Sequence, residues 1–281
     1  MVGWIHVFVC RVAAAMTKFI STFILVLWAF MAIFGGLLPL SPDLIYLDKI
    51  LQIPQAGAIL GYDDLGRPIL DRLIMGAQTS FLVAIWVVSV SLVVGTVIGT
   101  ISGYMGGWVD HVIVRIIDIL LAFPGILLAI ALAGILGPGI DNVIIALSSV
   151  GWVGFARLSR AQVLSLRHRE HVVAAVALGA GRLRILFVHL LPMIAAPLIV
   201  ESTFAIAGVV IAEAGLSYLG LGVQPPDASW GGMIRDGARY MLVAPHMVLA
   251  PGVALMLVVL AVNLLGDQLR DWIDVKTRIK R

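Results

Sequence analysis

Phe81–Tyr104 reads FLVAIWVVSVSLVVGTVIGTISGY, a run without a single charged side chain. A membrane-spanning helix needs about 20 predominantly apolar residues, so this stretch alone predicts one. The uncharged sequence continues to Val109, but Gly106-Gly107 closes its apolar part. Working outward, comparable runs recur. Phe19 to Leu40 is uncharged, too long for the core of a signal peptide and without a small-residue cleavage site, so it reads as a retained first span. A third run, Ile116 to Leu136, ends at Gly137-Pro138-Gly139, a helix terminator. A fourth begins near Asn142 and reaches Arg157. The fifth covers Ile194 to Glu213, and the sixth Met241 to Leu265, bounded by Asp267, Arg270 and Asp271. The expected fold is all-α, a polytopic membrane bundle of about six helices with both termini on one side.

Composition agrees. Of 281 residues 61% are apolar and 12% charged, with a mean hydropathy of +1.07, far from the roughly 25% charge of soluble domains. A net charge of +3 could suggest nucleic acid, but the positions of the basic residues argue otherwise. One side of the bundle collects Arg11, Lys18, Arg115, a fourth-to-fifth loop with Arg157, Arg160, Arg167, Arg169, Arg182 and Arg184, and a tail with Arg270, Lys276, Arg278, Lys280 and Arg281. The other side has only Lys49, Arg67, Arg72, Arg235 and Arg239. By the positive-inside rule the first side is cytoplasmic. The basic character is topogenic, and nucleic acid is not an expected partner.

The single cysteine, Cys10, excludes an internal disulfide framework, a Cys-rich zinc site and a Cys-ligated iron–sulfur cluster. No Gly-x-x-x-x-Gly-Lys-Ser/Thr loop is present, so the chain has no Walker-type nucleotide site. Gly215-Leu216-Ser217-Tyr218-Leu219 lacks the last glycine of a nucleophile elbow, and His168 and His171 have neither zincin nor inverzincin spacing. No catalytic residue, cofactor site or metal site is expected.

Gly95, Gly99, Gly103 and Gly107 share one helix face, the small-xxx-small spacing that lets membrane helices approach closely. Two carboxylates fall in the fifth span, where an unpaired charge costs at least about 2.5 kcal/mol. Glu213, near the outer end where it could reach water or a neighbouring loop, reads as an interhelical hydrogen-bonding or snorkelling group ahead of a pathway or proton-relay one. Glu201, about two turns from the cytoplasmic end, reads equally as a polar pathway or proton-relay group and as a hydrogen-bonded structural one.

Three connections are long: Ser41 to Ser80 and Gly215 to His246 outside, and Arg157 to Pro192 inside. Within the last, a charged start, the apolar run Val172 to Leu178, Gly179-Ala180-Gly181 and an amphipathic run from Arg182 to Leu191 closed by Pro192 predict two short helices joined at glycines. Ala174, Ala175, Leu178, Ile185 and Leu186 would form their apolar face. Such a knob suits a partner's groove, or alternatively lies on anionic lipid.

These blocks resemble the inner-membrane permease subunits of bacterial ABC importers for dipeptides, oligopeptides, nickel and related solutes, the C-type half. The inside loop resembles the family's Glu-Ala-Ala…Gly…Leu-Pro signature at Val173, Ala174, Ala175, Gly179, Leu191 and Pro192, with Val173 in the place of Glu and Met193 in that of a frequent Asn. Leu60-Gly61-Tyr62-Asp63-Asp64-Leu65-Gly66-Arg67, the block Gly107-Trp108-Val109-Asp110 with Arg115, Asp118 and Ala122-Phe123-Pro124, and the stretch Glu213 to Pro226 followed by Ser229-Trp230-Gly231 are similar as well. So are Pro251-Gly252 and Asn263-Leu264-Leu265-Gly266-Asp267.

The resemblance implies a five-span type I ABC core with one preceding span. Its divisions would be an N-terminal tail, first helix and external loop over 1–76, the core over 77–267, and a basic cytoplasmic tail over 268–281. It further implies a multi-pass protein of the bacterial inner membrane, forming half of a translocation pathway. The partners would be a second permease, two cytoplasmic ATPases, an external solute-binding protein and membrane lipid. Residues 167–192 would be the ATPase-coupling loop, with Val173, Ala174, Ala175, Leu178, Gly179, Ile185, Leu191 and Pro192 in contact. An ion-coupled secondary transporter using Glu201 or Glu213 is the alternative, but it often shows paired repeats, and none is evident.

Overall fold

The computed structural model describes the backbone of residues 2–56 and 58–279, and the side chains of 16–56 and 58–273. The side chains of Cys10, Arg11, Lys276, Arg278, Lys280 and Arg281 lie outside the described residues. The helices are α1 (Val2–Phe34), α2 (Ile69–Met105), α3 (Gly107–Leu121), α4 (Gly125–Leu136), α5 (Ile140–Leu166), α6 (Glu170–Ala177), the single turn α7 (Arg182–Arg184), α8 (Leu191–Tyr218), α9 (Trp230–Ala238) and α10 (His246–Ile279). Five stretches are long and apolar enough to cross a membrane: Met16–Leu37, Ile69–Met105, Ile140–Leu166, Arg182–Tyr218 and His246–Ile273. The pair α3 and α4 makes a sixth if counted as one broken span.

That third span is not the straight rod expected over Ile116 to Leu136, since α3 and α4 meet at 84°. Pro124 is the reason. It stands immediately before α4 with φ −57° and ψ 120°; having no N–H it cannot continue the α3 ladder, and its ring forces the preceding residue out of helical geometry. The far end behaves as expected: α4 stops at Leu136, and Gly137 and Gly139 take φ of +88° and +142°. The Asn142 side chain then donates to the carbonyls of Leu136 and Gly137, both at 3.0 Å.

The fourth span also outruns its expected end, because α5 continues to Leu166 and carries Arg157 and Arg160 on the helix itself rather than in a loop. Likewise α2 starts at Ile69, well before Phe81, so the external loop is shorter than Ser41 to Ser80. The third difference lies at Pro192. A π-helical stretch, Ile185–Leu190, joins α7 to α8 without a break, and Pro192, the second residue of α8, is accommodated at that junction. Arg182 to Tyr218 is therefore one helical run, and Pro192 closes nothing.

Close packing of α2 on α5 centres the bundle. A Cβ added at Gly95 would overlap the Trp152 carbonyl oxygen, one at Gly99 would overlap that of Ala156, and one at Gly103 would lie 2.9 Å from that of Arg160. In lipid no hydrophobic drive separates helix from tail, so backbone approach of this kind is what holds such helices together. Gly107 does not join the seam: it opens α3 with φ +55° and has nothing within 4 Å. On the outer side α1 packs through buried Trp28, edge-on to Phe81 at 5.2 Å. The external α9 is pinned to α2 by the Trp230 indole, which donates to the Leu73 carbonyl at 2.9 Å above the bare Cα of Gly76.

Candidate functional site

Two features at the cytoplasmic half of the bundle combine exposure with chemistry. The first is the knob formed by α6, the turn after it and α7. Helical spacing splits α6 into two faces: Val172 and Ala175 are buried, with Val172 packed among Leu166, Ile185, Leu190 and Ile194. Val173, Ala174 and Val176 face outward. The helix ends in a Schellman turn, in which Gly179 N–H donates to Val176 O at 2.9 Å and Ala180 N–H to Ala175 O at 3.0 Å. Gly179 supplies the required left-handed backbone, φ +81°, and nothing lies within 4 Å of where its Cβ would be. Leu178, beside it, is 88% exposed.

Of the residues expected to form the apolar contact face, Ala174 and Leu178 are outward, whereas Ala175 and Ile185 belong to the knob's internal anchor. Leu186 and Leu191 are half-buried and Pro192 is exposed. The outward surface gains Val176, Leu183 and Phe187, which sequence reasoning did not single out. The i, i+3 spacing of Val173 with Val176 against Val172 with Ala175 carries the signal that separates the faces.

The second feature is a cavity of about 790 Å³ between α3, α5 and α8. Asp118 comes from α3, Arg157 and Arg160 from α5, and Glu201 from α8. Gly154, one turn before Arg157, lies against Glu201: a Cβ there would be in ordinary contact with Oε1, at 3.7 Å. Arg160 is neutralised by Asp110, with Nε donating to Oδ1 at 2.5 Å and Nη2 to Oδ2 at 2.7 Å, while Ser102 Oγ donates to the same carboxylate. Arg157, Asp118 and Glu201 make no hydrogen bond or ion pair among the described residues. Glu213 is different in kind. It is 1% exposed, far from the cavity, and accepts from Ser217 Oγ at 2.8 Å and from Ser80 Oγ on α2 at 3.0 Å.

Residues 95–279 match the family described as "Binding-protein-dependent transport system inner membrane component". The chain belongs to that family. It is thus a transport permease subunit and a multi-pass protein of the inner membrane. Among relatives of this permease, the dipeptide transport system permease protein DppC of Alkalihalophilus pseudofirmus is 44% identical over 228 residues, 81% of this chain and 75% of the relative. The di/tripeptide transport system permease protein DppC of Pseudomonas aeruginosa is 40% identical over 246 residues, covering 85% and 81%. The glutathione transport system permease protein GsiD of Escherichia coli O6:K15:H31 is 44% identical over 231 residues, covering 82% and 76%. An inward-facing structure of the MetNI methionine ABC transporter shares the fold, with a TM-score of 0.60 at 18% identity, over 73% of the permease and 97% of that chain. The family match takes in the knob, the cavity-lining helices and Glu213.

Proposed function

We propose that this permease forms half of the translocation pathway of an ATP-driven importer for small peptides. It pairs with a second, related permease, receives solute from an external binding protein, and docks two cytoplasmic ATPases, one of them through residues 167–192. On this reading 1–76 is an added segment, 77–267 the type I core and 268–281 a basic tail. The inner boundaries fall within α2 and α10, so they mark changes of role along continuous helices.

The observation that carries the reading is the knob. It presents Leu178, Val173, Val176 and Leu183 to the cytoplasmic side, on a base locked by a Schellman turn and a buried apolar anchor. Exposed apolar side chains on a rigid, short helix fit insertion into a partner's groove. The relatives named for dipeptides, di/tripeptides and glutathione support peptides as the solute class.

Gly179→Trp tests it. A bulky residue at φ +81° adds backbone strain and overlaps any docked surface, without touching a membrane span. The variant is expected to insert and to pair with the second permease, yet to lose ATPase binding or substrate-stimulated hydrolysis by tenfold or more, whereas Val173→Ala has a mild effect. Wild-type hydrolysis and uptake in the purified Gly179→Trp complex would refute the docking role.

A further inference from the structure

We infer that the cavity between α3, α5 and α8 is a binding site for the two charged ends of an unblocked peptide, with Arg157 taking the carboxylate and Glu201, assisted by Asp118, the ammonium group. The inference rests on the peptide-importer reading above and gives that reading a place on this chain.

A charge within a membrane helix is costly unless it is paired or wetted. The protein meets that cost for Arg160, whose guanidinium is clamped by Asp110. Among the described residues it leaves Arg157, Asp118 and Glu201 without a hydrogen bond or a close ion pair, Asp118 only sensing the charge of the Asp110-paired Arg160, although all three line the same cavity. Charged residues that face a polar space inside a membrane mark a solute path. Here the set holds both signs, one base and two acids, which matches a zwitterion and neither a simple anion nor a simple cation. Size agrees: the cavity of about 790 Å³ falls within the roughly 300–1,000 Å³ of small-molecule sites. The backbone of α5 is shaped for it as well. Gly154, Arg157 and Ala161 are exposed and share one face, so small residues flank the arginine on both sides. An extended dipeptide is about 7 Å long, and Glu201 of α8 meets α5 at Gly154, one turn from Arg157. A transport path needs such contacts to be few and weak enough for release, and two charge-assisted contacts meet that requirement.

The test uses the complete complex, both permeases and the ATPases, in nanodiscs without the external binding protein. Ala161→Cys is introduced on a Cys10→Ser background and labelled with a water-soluble maleimide. The probes are alanyl-alanine and the doubly blocked N-acetyl-alanyl-alanine amide. Free alanyl-alanine is expected to slow labelling, and the blocked peptide to need at least about tenfold more for the same protection, the factor associated with losing one charge-assisted contact. Arg157→Gln and Glu201→Gln should each raise the half-protecting concentration of alanyl-alanine by about tenfold while leaving that of the blocked peptide unchanged. Three results would overturn the proposal: equal protection by both probes, protection indifferent to both substitutions, or an introduced thiol that never reacts because the second permease covers this face. Uptake of alanyl-alanine by the wild-type complex supplied with its binding protein separates the levels. Uptake without protection removes only the cavity, whereas absence of uptake removes the peptide reading itself.

Discussion

Glu213 and Glu201 are the same residue type on the same helix, yet their surroundings assign them opposite work. Glu213 is sealed between α2 and α8 and held by two hydroxyls, so its business is to bind helices together. Glu213→Gln should preserve transport, because the serine hydroxyls can turn to suit an amide. Glu213→Leu strands Ser80 and Ser217, and the purified protein should lose about 1–3 kcal/mol of stability, visible as a lower melting temperature. A transport-dead, fully stable Glu213→Gln would make it a proton carrier instead. In the external loop a neighbouring pair of carboxylates is served unequally. Asp63 accepts from the Leu65 and Arg67 backbones and from Arg67 Nε at 2.6 Å, while Asp64 Oδ1 is buried without a hydrogen bond and faces only Arg67 Nη2, at 3.8 Å. Burial, with the neighbouring Asp63 charge, holds the Asp64 carboxyl above its ordinary range. A native pKa raised above the unfolded one means that folding takes up a proton between the two values, so this group's penalty is complete above the native pKa and gone below the unfolded one. Asp64→Asn should accordingly melt higher than wild type at neutral pH, with the difference shrinking as the pH falls into the carboxylate range. Hydropathy alone exposed both intramembrane glutamates, but the position of Glu213 near the outer end left a snorkelling side chain and an interhelical bond equally open, because Ser80 comes from α2. The surroundings of Glu201 were hidden because they come from α3 and α5, far away in the chain.

Among elements, the α2–α5 seam is the most sharply determined. Gly99→Leu would drive a side chain into the Ala156 backbone, where even a Cβ would overlap the carbonyl oxygen. Helices cannot yield there without losing the whole contact, so the variant should fail to accumulate in membranes or melt several degrees lower. Gly134→Ala on α4, with open space at its Cβ, should cost nothing by the same assay. The four-residue glycine spacing announced this seam in the sequence, though not its end, since Gly107 belongs to the turn into α3. Apolar runs located the spans for an equally plain reason: charge is excluded from lipid. Their ends were harder to read. Arg157 and Arg160 resemble loop residues because charge is the usual mark of a loop, and only a polar cavity and Asp110 allow α5 to carry them. Pro124 was visible, but an apolar run on both sides of it concealed the bend.

For the molecule as a whole, one odd or even count decides everything on both faces. Counting α3 with α4 as one broken span puts both termini with the basic surface and sends α9 outside. A periplasm-only reporter fused after Arg281 is expected to be inactive, and activity there would mean that the pair turns back without crossing. The π-helical junction has a further, mechanical meaning. Since Arg182 to Tyr218 is one helical run, about 28 Å of helix joins the knob to Glu201, with the wide turn at Ile185–Leu190 and Pro197 on the way. A push or twist at the cytoplasmic tip therefore reaches the cavity wall through those two points, the places where such a helix bends, and they set how much of the movement arrives at Glu201.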